Sequence, residues 1–73
     1  MPLRPPPYRE VKRKLEAAGF TEVSRKGSHV KFARQTDQAT RTAIVPEHRE
    51  IAVGTLRSIL RQAGLSLEDF DAL

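Results

Sequence analysis

Two apolar stripes at helical spacing, one near each end of the chain with strand-like sequence between them, leave this protein few ways to fold. Tyr8, Val11, Leu15 and Ala18 recur at the period of a helix. Leu56, Ile59, Leu60 and Ala63 give the i, i+3, i+4, i+7 pattern of a second one. Pro7 suits the opening of the first helix, where its missing N–H costs nothing. Arg9, Lys12, Arg13 and Glu16 fall on its wet side. Gly19 is expected to end it in the left-handed conformation, with Phe20 folding back onto the last turn. Thr55 is expected as the cap or first residue of the second helix, and Gly64 as its end. Ser66 and Asp69 have the spacing of a capping box for a short last helix, in which Leu67, Phe70 and Leu73 could pack.

Between the stripes the sequence predicts three strands. Thr21–Lys26 and Ser28–Arg34 flank a tight turn at Gly27, and Thr40–Val45 follows the polar stretch Gln35–Ala39. Phe20 and Val23 do not fit strict alternation in the first strand. The second is clearer: Val30 and Phe32 point one way, and His29, Lys31 and Ala33 the other. Ala43 and Val45 share a face in the third, which Pro46 stops. Short links make the strands an antiparallel meander, and both helices must bury their stripes on one face of it. The expected fold is an α+β two-layer sandwich: helix, three-stranded antiparallel sheet, helix, short C-terminal helix, with the other sheet face open. Residues 1–7 are a Pro-rich, extended arm, and 8–73 are one domain.

A chain of 73 residues with a hydrophobic fraction of 38% holds one thin core, burying about 60% of its unfolded surface. A deep cofactor pocket has no room, so none is expected and any chemistry must occur on an open surface. The charge is uneven. Residues 1–34 carry nine basic and three acidic side chains, a net of +6, whereas residues 35–73 carry four Arg and six acids, a net of −2. A basic half on a small domain is the footprint of a polyanion binder, although charge alone fits a solvated face equally well. The absence of Cys excludes disulfides and thiolate zinc sites. No apolar run approaches the roughly 20 residues of a membrane span, and MPLRPPP has no secretory h-region. A cytoplasmic protein is expected.

On the open face the second strand presents His29 beside Lys31, with Lys26 and Arg34 flanking. A histidine in a strand could be a packed core residue, but its neighbour Val30 is the better candidate for the core. Metal-free RNA cleavage needs a base for the 2′-OH proton and cations for the charge on the phosphoryl oxygens. An imidazole, with an ordinary pKa of about 6.5, suits the first task, and Lys and Arg suit the second. The same residues would equally make a basic face that only binds phosphate. His48, among Glu47, Arg49 and Glu50, could give a proton to the leaving oxygen or be a solvated loop residue, and the loop reading is preferred. No ligand spacing supports a metal site.

LEAAGF, then a strand and KGSHVKF, then a strand ending IVP with His two residues later, then GTLRSILRQAGLS, form a pattern that closely resembles the HicA family of toxin–antitoxin ribonucleases, over roughly residues 8–70. The resemblance implies a fold like a double-stranded-RNA-binding domain and degradation of messenger RNA without a metal. It places an essential histidine at the GSH position, here His29, with Gly27 supplying the turn and Ser28 joining the site. It also implies a HicB-type antitoxin partner that covers the active surface. Lys26, Lys31 and Arg34 are added from charge and position as RNA-binding residues, with His48 as an auxiliary. The loop PEHREIAVGT departs from the glycine-rich, lysine-containing stretch expected there, and the Pro-rich arm is longer than the family needs. The rival readings are a non-catalytic RNA-binding module of the same fold and a domain whose basic half docks an acidic protein.

Overall fold

The computed structural model describes residues 4–73, so the first three residues of the Pro-rich arm lie outside the described residues. The order is α1 (Tyr8–Ala17), β1 (Thr21–Lys26), β2 (His29–Gln35), β3 (Thr40–Pro46), α2 (Val53–Ala63) and α3 (Leu67–Asp71). The three strands form one antiparallel sheet in sequence order. The architecture is thus the α+β, double-stranded-RNA-binding-domain-like arrangement that the sequence led us to expect. One principal extent is only 17 Å, the thickness of two layers.

The predicted stripes become the core. Val11 and Leu15 of α1, Leu56, Ile59, Leu60 and Ala63 of α2, and Phe70 of α3 bury against Val30, Phe32, Ala43 and Val45 of the sheet. Phe20 and Ile51 complete this cluster from outside the regular elements. Phe20 reaches it because α1 ends in a hydrogen-bonded wrap: the Phe20 N–H donates to the Leu15 carbonyl at 2.9 Å and the Gly19 N–H to that of Glu16 at 3.0 Å. The extended segment before α1 is also tied down. Pro6 is buried, and its carbonyl accepts the N–H of Ile51 at 2.7 Å.

Several expectations are corrected. α2 begins at Val53 rather than Thr55, with Ala52 as its cap and no side-chain cap bond. Leu67 is 40% exposed and does not pack, although the Ser66–Asp69 capping box forms as expected and Phe70 is buried. Lys14 holds a position in the apolar stripe of α1 and is only 8% exposed. Its ammonium lies 4.7 Å from the centroid of the Phe70 ring, a cation–π contact that makes burial of its stem tolerable. The register of β1 shifts between Glu22 and Ser24, so Val23 is the bulged residue and is 54% exposed. That bulge explains why alternation fails there.

Candidate nucleic-acid interface

The hairpin between β1 and β2 builds the centre of the open face. Lys26 pairs with His29 across a loop of only two residues, Gly27 and Ser28. Gly27 has φ +60, and a Cβ there would meet nothing within 4 Å, so glycine is required for its backbone rather than for space. A positive φ at the first loop position is the pattern of the tight turns that match strand twist.

Cross-strand partners share a face, so the register assigns every strand residue. Val30 and Phe32 are buried toward the helices, and with them go Glu22, Arg25, Ala43 and Val45. The open face receives Thr21, Ser24 and Lys26 from β1, His29, Lys31, Ala33 and Gln35 from β2, and Thr40, Thr42, Ile44 and Pro46 from β3. This set contains two lysines, one histidine, hydroxyls and an amide, and no carboxylate. Ile44 is 39% exposed on it. The outer edge of β3 is partly closed, because the Gln62 side chain of α2 accepts the Ile44 N–H at 2.9 Å.

Acids do occur nearby, but behind the face, and they are paired. Glu22 meets Lys12 at 3.7 Å, and the Glu47 carboxylate takes two guanidinium N–H groups of Arg25. The hydrogen bond from Arg25 holds the Glu47 carboxyl below the usual carboxylate range, with the charges of Arg25 and Lys12 acting in the same direction. Burial pushes the nearby Tyr8 phenol up, and the charges of Glu47 and Glu22 add to that. Among the described residues, neither Lys26 nor Lys31 takes part in an ion pair.

The structure therefore brings together Lys26, Gly27, Ser28, His29 and Lys31, all exposed. It does not bring Arg34 to them. Arg34 lies on the helix side of β2, donates from Nη1 to the Ala18 carbonyl at 2.9 Å and sits 5.2 Å over the Phe20 ring. Strand parity carries that signal, since Arg34 shares its parity with Val30 and Phe32. His48 is in a loop, and the structure supplies a neighbourhood that sequence spacing could not. Pro46 is the cross-strand partner of His29, the Glu47 N–H donates to the Ser28 carbonyl at 2.6 Å, and the His48 N–H turns back to the Pro46 carbonyl at 2.9 Å. Among the described residues no group of three metal-ligating side chains comes together.

A face of this kind can take a phosphodiester: ammoniums for its oxygens, hydroxyls for sugar and phosphate, and an imidazole to move a proton. No helix among the described residues is long and apolar enough to cross a membrane. In comparisons with known proteins, residues 8–65 match the family described as HicA toxin of bacterial toxin–antitoxin systems. No curated protein matches the chain.

Proposed function

The chain belongs to the HicA family of bacterial toxin–antitoxin toxins, and on that premise we propose that it is a metal-independent endoribonuclease that cuts messenger RNA in the cytoplasm. The observation that carries this reading is the carboxylate-free open face with His29 between Lys26 and Lys31. His29 acts as general base or acid. In its basic role the imidazole takes the proton of a ribose 2′-OH, the 2′ oxygen bonds to phosphorus, and the bond from phosphorus to the 5′ oxygen breaks as that oxygen is protonated. Lys26 and Lys31 hold the non-bridging oxygens and stabilise their charge. The Gly27–Ser28 turn lets the backbone approach the strand. Flexible, single-stranded RNA, whose backbone can align for in-line attack, is the substrate.

Family membership implies a cognate antitoxin. We take it to be a HicB-type protein that covers the His29 face, since an uncovered basic face would cut the cell's own messages.

The test is incubation with labelled messenger RNA in EDTA beside His29→Ala. The wild type should cut, leaving cyclic phosphate and 5′-OH ends, and the folded variant should lose activity by about 10²–10⁴-fold. Ends bearing 3′-OH and 5′-phosphate would refute the 2′-OH mechanism. Retarded RNA without cutting by either protein would make this a binding module of the same fold.

A further inference from the structure

Glu47 stands between two residues that matter to the site. On one side is Pro46, paired with His29, and on the other is His48. Its main-chain N–H is bound to Ser28 in the β1–β2 hairpin, and its carboxylate is held by Arg25 on β1. The second contact of that pair, Nη2 to Oε2, is 3.3 Å. The ion pair thus runs from the outer strand past the end of β2 to the chain leaving β3. Its side chains are 40% and 42% exposed, and pairs so exposed add little to stability. What a fork of two parallel N–H···O contacts supplies is direction. The segment it directs is the tight turn Pro46–His48. The Cα atom of His48 lies no more than about 13 Å from that of His29, given a cross-strand spacing of about 5.5 Å and chain steps of about 3.8 Å. Two imidazoles with a phosphate between them can span that separation.

We propose that Arg25 and Glu47 are a positioning pair for the His29 site: they pin the turn carrying His48 against the hairpin carrying His29, so that both imidazoles act on one phosphodiester. The inference rests on the ribonuclease reading above. His29 takes the 2′-OH proton as the O2′–P bond forms, and His48 gives a proton to the 5′ oxygen as the P–O5′ bond breaks. Exchange with water then restores both rings, so no co-reactant is needed. Holding the Glu47 carboxylate against Arg25 also keeps that acid from competing with phosphate beside the hairpin.

Charge and position make opposite forecasts. If the pair mattered only through charge, Arg25→Gln would weaken RNA binding and Glu47→Gln would strengthen it, moving KM in opposite directions with kcat unchanged. Positioning instead requires both variants to lower kcat, on the order of tenfold for a misplaced group, and the exchange Arg25→Glu with Glu47→Arg to restore most of it. His48→Ala should lower kcat by about 10²-fold, and adding Arg25→Gln to it should cost almost nothing more, because coupled residues are not additive. Opposed KM shifts at constant kcat, an unaffected His48→Ala, or full additivity would each overturn the proposal.

Hydrogen exchange at the Glu47 amide separates this test from the ribonuclease reading. It should quicken several-fold, roughly, in both single variants and slow again in the exchanged pair, since it reports local opening without any activity. If the wild type cuts no RNA, the ribonuclease reading fails and takes the shared-phosphodiester role with it, while the amide still decides the pinning; an amide indifferent to all three variants refutes the pinning.

Discussion

Arg34 and Arg41 stand opposite each other on β2 and β3, and each side chain lies against the glycine that ends a different helix, Gly19 for Arg34 and Gly64 for Arg41. Two like charges facing each other on a sheet are unfavourable in themselves. Helix C-termini carry partial negative charge, however, and two of them converge at this end of the sheet. Each arginine answers one helix end. The Arg34–Ala18 hydrogen bond and the Arg34–Phe20 stack make that role concrete.

Arg34→Ala should therefore behave as a stability variant. Losing a charged hydrogen bond to a carbonyl together with a cation–π stack costs about 2 kcal/mol. In a domain of this size that lowers Tm by roughly 10 °C. RNA affinity, measured well below the melting range, should barely change. An unchanged Tm with weakened RNA binding would return Arg34 to the interface.

Gly64→Ala tests the other helix end. Gly64 has φ +72, where a side chain costs about 1–2 kcal/mol, and a Cβ there would come within 2.9 Å of the Arg41 guanidinium carbon. Arg41 is exposed and can swing away, so backbone strain should dominate. Urea melts should show a loss of about 1–2 kcal/mol, and adding Arg41→Ala should recover only a minor part. Full recovery would mean that the contact, not the backbone, sets the cost.

How much of this was legible follows from which interactions are local. Both long helices could be read because Val11–Leu15 and Leu56–Ile59–Leu60–Ala63 repeat with the helix, and β2 because Val30 and Phe32 alternate with His29 and Lys31. β1 resisted because the bulge at Val23 spends one residue out of register, and because Phe20 enters the core from a helix cap. The burial of Lys14 is not legible from its residue type, because it depends on a contact with Phe70, far along the chain. The His29 face was legible from strand parity, and the same parity would have removed Arg34 from it. The neighbourhood of His48 was not legible, since it depends on the register of β3 against β2 and on an ion pair joining residues 22 apart.

Lys26 and Lys31 are both exposed on the open face and, among the described residues, take part in no ion pair, so each should contribute one phosphate contact. Replacing either by Ala should lower the slope of log affinity against log salt by about 1, weakening all RNA sequences alike. The double variant should lose about 2, with the fold intact because neither residue touches the core. Titrations of inactive His29→Ala protein against RNA at several salt concentrations read this directly. Slopes unchanged in both variants would place the phosphate contacts elsewhere, and the helix-face cations Arg9 and Arg13 would be the next to examine.

The Arg25–Glu47 pair makes a forecast in pH. Arg25 lowers the folded-state pKa of Glu47 relative to its ordinary value near 4.5. A carboxyl so lowered contributes its stabilisation above the unfolded value and loses it as pH falls through the lower, folded one. The pair therefore persists through neutral and mildly acid pH and opens only in stronger acid. Because both partners are substantially exposed, solvent screening keeps the effect on global stability small. The measurement is an NMR titration of the Glu47 carboxyl carbon. Arg25→Gln removes the largest cause of the shift, so the midpoint should move up toward 4.5. In the wild type the Glu47 amide should lose its hydrogen bond to Ser28 over the same pH interval, whereas in Arg25→Gln its exchange should already be faster and should not follow the carboxyl. If the wild-type carboxyl titrates while the amide ignores it, the pair forms but does not hold the turn.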